Sequence, residues 1–92
     1  MKRLLKTLLF ALLLSLISCG NNVEKSRLYY DKGMDYLYHS QFDEAIEYFD
    51  KAIKFDDKNH EAYFYRGCAK YNNYQKEEAL KDYNKTLELD PE

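Results

Sequence analysis

The sequence predicts an all-α fold: two helix-turn-helix units stacked as an αα superhelix, or solenoid, behind an N-terminal signal helix. Three observations predict it. First, the chain repeats itself at a spacing of 34 residues, so that Tyr29-Tyr30-Asp31-Lys32-Gly33-Met34-Asp35-Tyr36 is echoed by Tyr63-Phe64-Tyr65-Arg66-Gly67-Cys68-Ala69-Lys70. Gln41, Glu44 and Ala45 likewise return as Gln75, Glu78 and Ala79, Phe49 as Tyr83, Ile53 as Leu87 and Asp56 as Asp90. A fixed period of this size marks stacked helical pairs, and such units present surfaces to partners rather than reactive groups. Second, apolar residues in each unit recur at helical spacing. Third, no stretch alternates apolar and polar residues long enough to make a strand.

The chain begins with a basic head, Lys2, Arg3 and Lys6, followed by an apolar run from Leu8 to Ile17. The run is short for a bilayer span and has the layout of a secretory signal. It ends in Leu16-Ile17-Ser18-Cys19-Gly20. This resembles the lipobox of bacterial lipoprotein signal peptides, in which a small residue precedes a cysteine. The resemblance implies cleavage of residues 1–18, a diacylglycerol on the sulfur of Cys19, and a membrane anchor worth roughly 0.8 kcal/mol per buried CH₂. It also implies export to the bacterial cell envelope. Gly20 stands where an aspartate would favour retention at the inner membrane, so the outer membrane is favoured where the source has one. Residues 19–25 then form the lipidated cysteine and a short tether, with Gly20-Asn21-Asn22 polar and flexible.

The first unit covers residues 26–59. Leu28, Tyr29, Gly33, Tyr36 and Leu37 recur at helical spacing, with Ser26 as a candidate N-cap. Ser40-Gln41-Phe42-Asp43 reads as a short capping box for the second helix. Its buried stripe is Ala45, Ile46, Phe49, Ala52 and Ile53. Glu47 with Lys51, and Asp50 with Lys54, place an acid four residues before a base on the wet face. The second unit covers residues 60–92. Asn59 is placed to cap its first helix, and its second helix, about 77–89, turns Ala79, Leu80, Tyr83 and Leu87 inward. Asp90-Pro91 stops it, because proline disfavours helix at the residue before it. Gly33 and Gly67 lie mid-helix at a cost of about 1 kcal/mol each, which a close backbone approach would explain, with Ala45 and Ala79 as the matching small residues.

The chain has 92 residues, ten Tyr, five Phe and no Trp. A chain of this size makes one small domain of marginal stability. Its formal net charge is -2, and loss of residues 1–18 takes it to about -5. Without a basic excess it has no footprint for nucleic acid. Cys19 and Cys68 are too few for a disulfide framework or a zinc site, and no cofactor or metal is expected.

Residues 26–92 resemble the tetratricopeptide repeat. The first unit supplies Tyr29, Gly33, Tyr36, Ala45, Phe49 and Ala52 of its packing pattern, and the second supplies Tyr63, Gly67, Ala79, Tyr83 and Pro91. Lys32 and Arg66 depart from the usual leucine, Lys70 from an aromatic, Thr86 from a small apolar residue, Asp57 from the closing proline and Lys76 from an aromatic. These departures predict looser packing in the second unit. The resemblance implies a concave groove, lined by the first helix of each unit, that binds extended or helical peptides. Its candidate residues here are Tyr30, Met34 and Leu37, with Phe64, Cys68 and Tyr71, each trio on one helical face, and with Arg27 and Glu61 at the mouth. The carboxylate-binding version of the groove uses lysine and asparagine, which Tyr30, Met34, Phe64 and Cys68 replace. The competing reading has the trios packing one unit on the next.

The expected function is a membrane-tethered module that binds a protein or peptide. The alternative is a structural or truncated part of a longer array that self-associates. Two units fall short of the three or so usually needed to bury their faces, and some of Leu80, Tyr83, Leu87 and Leu89 would lack a covering neighbour. An enzyme is not expected, since Cys68 with His60 or His39 as base would stand without an orienting group. Radiolabelled palmitate should enter the wild-type chain and not Cys19→Ser; equal labelling of the two would end the lipoprotein reading.

Overall fold

The computed structural model describes residues 20–92 in full. For residues 2–19 it gives the helical course of the backbone alone, so the lipidation expected at Cys19 lies outside the described residues. Four helices follow one another: α1 Lys2–Tyr38, α2 Phe42–Phe55, α3 His60–Asn72 and α4 Lys76–Leu89. They form two helical hairpins, α1 with α2 and α3 with α4, and α3 packs on α2 to join them. The described residues contain no strand.

Ser26 is not an N-cap. Helix α1 runs straight through it, and Gly20-Asn21-Asn22 is helical rather than a loose tether. No proline interrupts this stretch, and the Ser26 hydroxyl has other partners. It is buried, donates to the Ala52 carbonyl at 2.7 Å and accepts from Asn59 Nδ2 at 3.0 Å. One hydroxyl thus ties α1 to the end of α2 and to the α2–α3 turn. Asn59 also caps α3, its Oδ1 accepting from the Ala62 N–H at 3.2 Å.

The expected capping box at Ser40 does not form. Ser40 takes a left-handed conformation, φ 58°, and the Gln41 N–H reaches back to the Tyr36 carbonyl at 2.9 Å. This is a Schellman-type helix end, so Ser40 closes α1 instead of opening α2. The second hairpin repeats it: Tyr74 has φ 65°, and Gln75 N–H donates to the Lys70 carbonyl at 2.8 Å.

The core is thin. Ala45, Phe49 and Ala69 are fully buried at its centre, with Tyr30, Met34, Tyr36, Leu37, Phe42, Ile46 and Tyr65 packed around them. Aromatic rings, rather than alanine side chains, sit on the glycines. A Cβ at Gly33 would lie 2.6 Å from Phe49 Cε1, and one at Gly67 would lie 2.8 Å from Tyr83 Cε1 and 3.2 Å from the Ala79 carbonyl oxygen. Burial, with a hydrogen bond to Cys68 next, pushes the Tyr83 phenol up to about 12. Leu80 and Leu87, expected inward, are exposed, and so is Leu28. They lie on the outer sides of α1 and α4, where no third layer among the described residues covers them.

The departures in the second unit compensate one another instead of loosening it. Asp82 is buried, and Arg66 holds it with Nε and Nη2 at 2.9 and 2.7 Å, while Lys70 approaches it at 3.2 Å. Arg66 Nη1 also reaches Asp50 on α2 at 2.9 Å, so Asp50 pairs across the units and not with Lys54. The equivalent positions in the first unit are Lys32, Tyr36 and Tyr48. There Tyr36 and Tyr48 stack at 5.2 Å, with the Lys32 ammonium 5.8 Å from the Tyr48 ring. Thr86 donates its hydroxyl to the Asp82 carbonyl at 2.9 Å.

Gly33→Leu should displace the Phe49 ring and cost roughly 1–3 kcal/mol, read from the midpoint of urea unfolding; a wild-type midpoint would show that Phe49 has room to move. Asp82→Ala strands Lys70 and leaves Arg66 with Asp50 alone, and should cost about 3 kcal/mol, the low end of the range for a broken buried pair. The combination Arg66→Lys, Lys70→Tyr and Asp82→Tyr, which copies the first unit, should recover part of that loss. A neutral Asp82→Ala would contradict a stabilising role for the cluster.

Candidate functional site

The inner surface is built by α1 and α3. Tyr30 stands between the units, with its ring centroid 6.0 Å from Phe49 and 6.0 Å from Tyr65. Burial raises its pKa, as does the nearby Glu61 carboxylate, to which its hydroxyl donates. It therefore spends most of its surface on packing. Met34 and Leu37 also touch the core, but their outer ends line a cavity of about 200 Å³ together with Tyr38 and Tyr65.

On α3, Phe64 is partly open. It meets Tyr65 edge-on at 5.0 Å and lies 5.7 Å from Tyr83. Cys68 is half-buried behind it, and Tyr71 is exposed. Tyr38 and Tyr74, at 82% and 97% exposure, add two phenol rings at the hairpin ends of the same helices. Arg27 and Glu61 line a second cavity of about 370 Å³ with Tyr30, Lys58 and His60. The first cavity is lined by apolar and phenolic groups, whereas the second carries both signs of charge.

Of the six groove candidates, Met34 and Leu37 come together at one cavity. Phe64, Cys68 and Tyr71 lie along α3, and Tyr30 sits between the two helices. Sequence reasoning missed Tyr38 and Tyr65. Tyr38 follows Met34 by four residues and so shares its helical face. Tyr65 matches Asp31 in the repeat, so the internal comparison gave no aromatic to look for.

The groups available for acid–base chemistry point elsewhere. His39 Nδ1 is 2.8 Å from the Asp35 carbonyl oxygen, and His60 Nε2 is 3.8 Å from Asp90. The thiol of Cys68 neighbours the Tyr83 phenol. Among the described residues no group of His, Cys, Asp and Glu could hold a metal ion, and no helix is long and apolar enough to cross a membrane. What the site offers is a shallow, largely apolar seat lined by Met34, Leu37, Tyr38 and Tyr65, suited to aliphatic or aromatic side chains of a peptide.

Comparison with known proteins agrees with this architecture. The family description "Tetratricopeptide repeat" matches residues 26–59 and again residues 60–92. Among solved structures, the chain is similar to one described as "Crystal structure of MamA protein", with 30% identity and a TM-score of 0.67 over 72% of this chain. The match spans 36% of the MamA chain, about a third of its length. No curated protein matches the chain. The chain belongs to the tetratricopeptide-repeat family, with two repeats over residues 26–92.

Proposed function

We propose that this chain is a membrane-tethered scaffold module whose α1–α3 face binds a protein or peptide partner. The observation that carries the reading is the open aromatic surface around the Met34, Leu37, Tyr38 and Tyr65 cavity. Apolar area of this kind gains roughly 25 cal/mol for each Å² hidden from water. Tyr38 and Tyr65, which line it, each carry a hydroxyl that can hydrogen-bond a partner and help to fix its register.

The tether is read from the leader. A basic head, an apolar run and Ser18-Cys19 together support lipidation at Cys19 and a place in the bacterial cell envelope, with Gly20 favouring the outer membrane of a two-membrane cell. The partner is a peptide or protein; the acidic balance of the chain disfavours nucleic acid. Tetratricopeptide-repeat proteins are typically non-enzymatic scaffolds, and neither histidine is aimed to activate Cys68.

A photo-crosslinking residue placed at Tyr71 in intact cells should give adducts that one placed at Glu47, on α2, does not. Tyr38→Ala should weaken the capture about tenfold, the effect of losing one well-placed aromatic anchor. Tyr38 is exposed, so its removal should leave the melting curve unchanged. Equal adducts from both positions, or capture indifferent to Tyr38→Ala, would sink the groove reading.

A further inference from the structure

The outer face of α4 repeats, in register, a face that is covered elsewhere in the molecule. Leu80 and Leu87 correspond to Ile46 and Ile53 of α2, which are half-buried where α3 packs. On α4 the two leucines are 52% and 61% exposed, and no helix among the described residues lies over them. Among the described residues the α2–α3 interface thus continues onto α4 without its second half.

A second copy could cover that face head to tail, with its α1 where α3 would lie. The side chains of α1 oppose this. On α3, Tyr65 and the fully buried Ala69 face the α2 core. Their equivalents on α1 are Asp31 and Asp35, both exposed. Burying those carboxylates against Leu80 without partners would be costly. Arg66 finds Asp50 on α2, whereas Lys32 in its place would face Asn84 and gain no anion. Only His39, set against Glu77, would gain. The α1 edge is therefore a poor match for the α4 face.

The α4 face matches itself. Leu80 and Leu87 are seven residues apart, two helical turns or roughly 10 Å, and fall on one line within about 20°. In an antiparallel pair of α4 helices, a two-fold axis between Tyr83 and Asn84 sets Leu80 of each copy against Leu87 of the other. Lys81 of one copy then lies within a turn of Glu88 of the other. We propose that the chain forms a two-fold dimer through α4, closed by Leu80 and Leu87. A closed isologous pair hides both faces and leaves none to propagate. One helix per copy makes a small contact, which belongs to the weak, reversible class below about 1,200 Å².

Disulfide trapping on the full chain, in membranes and in mild detergent, tests this in a Cys68→Ser background. Asn84→Cys stands beside the axis and should trap a covalent dimer on mild oxidation, whereas Tyr38→Cys should not. Adding Leu87→Glu should cut the trapped yield about tenfold while leaving the melting point unchanged at concentrations low enough to keep the chain monomeric, where Leu87 is exposed. A mixture of Asp35→Cys and Leu80→Cys chains should give no heterodimer. The proposal is overturned by absence of the Asn84→Cys dimer above the background set by Cys19, by a dimer indifferent to Leu87→Glu, by an Asp35→Cys–Leu80→Cys heterodimer, or by trapping of another protein in place of the second copy.

Discussion

The fit of an aromatic ring onto a bare stretch of helix backbone is the constraint on which the rest depends. Phe49 can be fully buried in so thin a structure only because Gly33 lets its ring lie against α1. That contact fixes how closely the first hairpin closes. The closure in turn brings Ser26 within reach of the Ala52 carbonyl and leaves Tyr30 free to meet the second repeat. Tyr83 on Gly67 does the same for the second hairpin, with a phenol that Cys68 shields on one side. The entropic penalty of a glycine in mid-helix is offset here by packing that a methyl group would forbid.

Around this shared contact the two repeats solve one packing problem differently. Three equivalent positions hold a stacked pair of tyrosines with a lysine in the first repeat, and a buried aspartate with an arginine and a lysine in the second. Each set is consistent within itself. A buried aspartate opposite two tyrosines, or an arginine and lysine facing a tyrosine, would leave charge unpaired in a poorly solvated place. Arg66 further reaches Asp50, so the ionic solution also joins the repeats, which the aromatic one does not.

Much of the fold could be read in the sequence because its period and helical stripes are local signals. The places of the last three helices, the cap at Asn59 and the close approach at both glycines follow from residues within one or two turns of each other. What escaped depended on contacts between distant residues. Ser26 reads as a cap until Ala52 and Asn59 are seen to engage its hydroxyl. Ser40 reads as the start of α2 until the bond from Gln41 to Tyr36 assigns it to the end of α1. Lys70 and Asp82 read as flaws when taken singly and make sense only as a pair. At the candidate groove, helical spacing identified Met34 and Leu37, but Tyr65 has no aromatic counterpart in the first repeat and needed the fold to bring it there.

The unbroken course of α1 through residues 20–25 changes what it means for the repeats to be attached to something. A flexible leash would let them tumble and sample every bearing. A helix is a shaft: each residue added or removed along it advances the attached body by about 1.5 Å and turns it by about 100°. The length of this segment therefore sets a compass heading as well as a height. Two relatives alike in every repeat residue, but differing by one or two positions here, would face their inner surfaces in different directions.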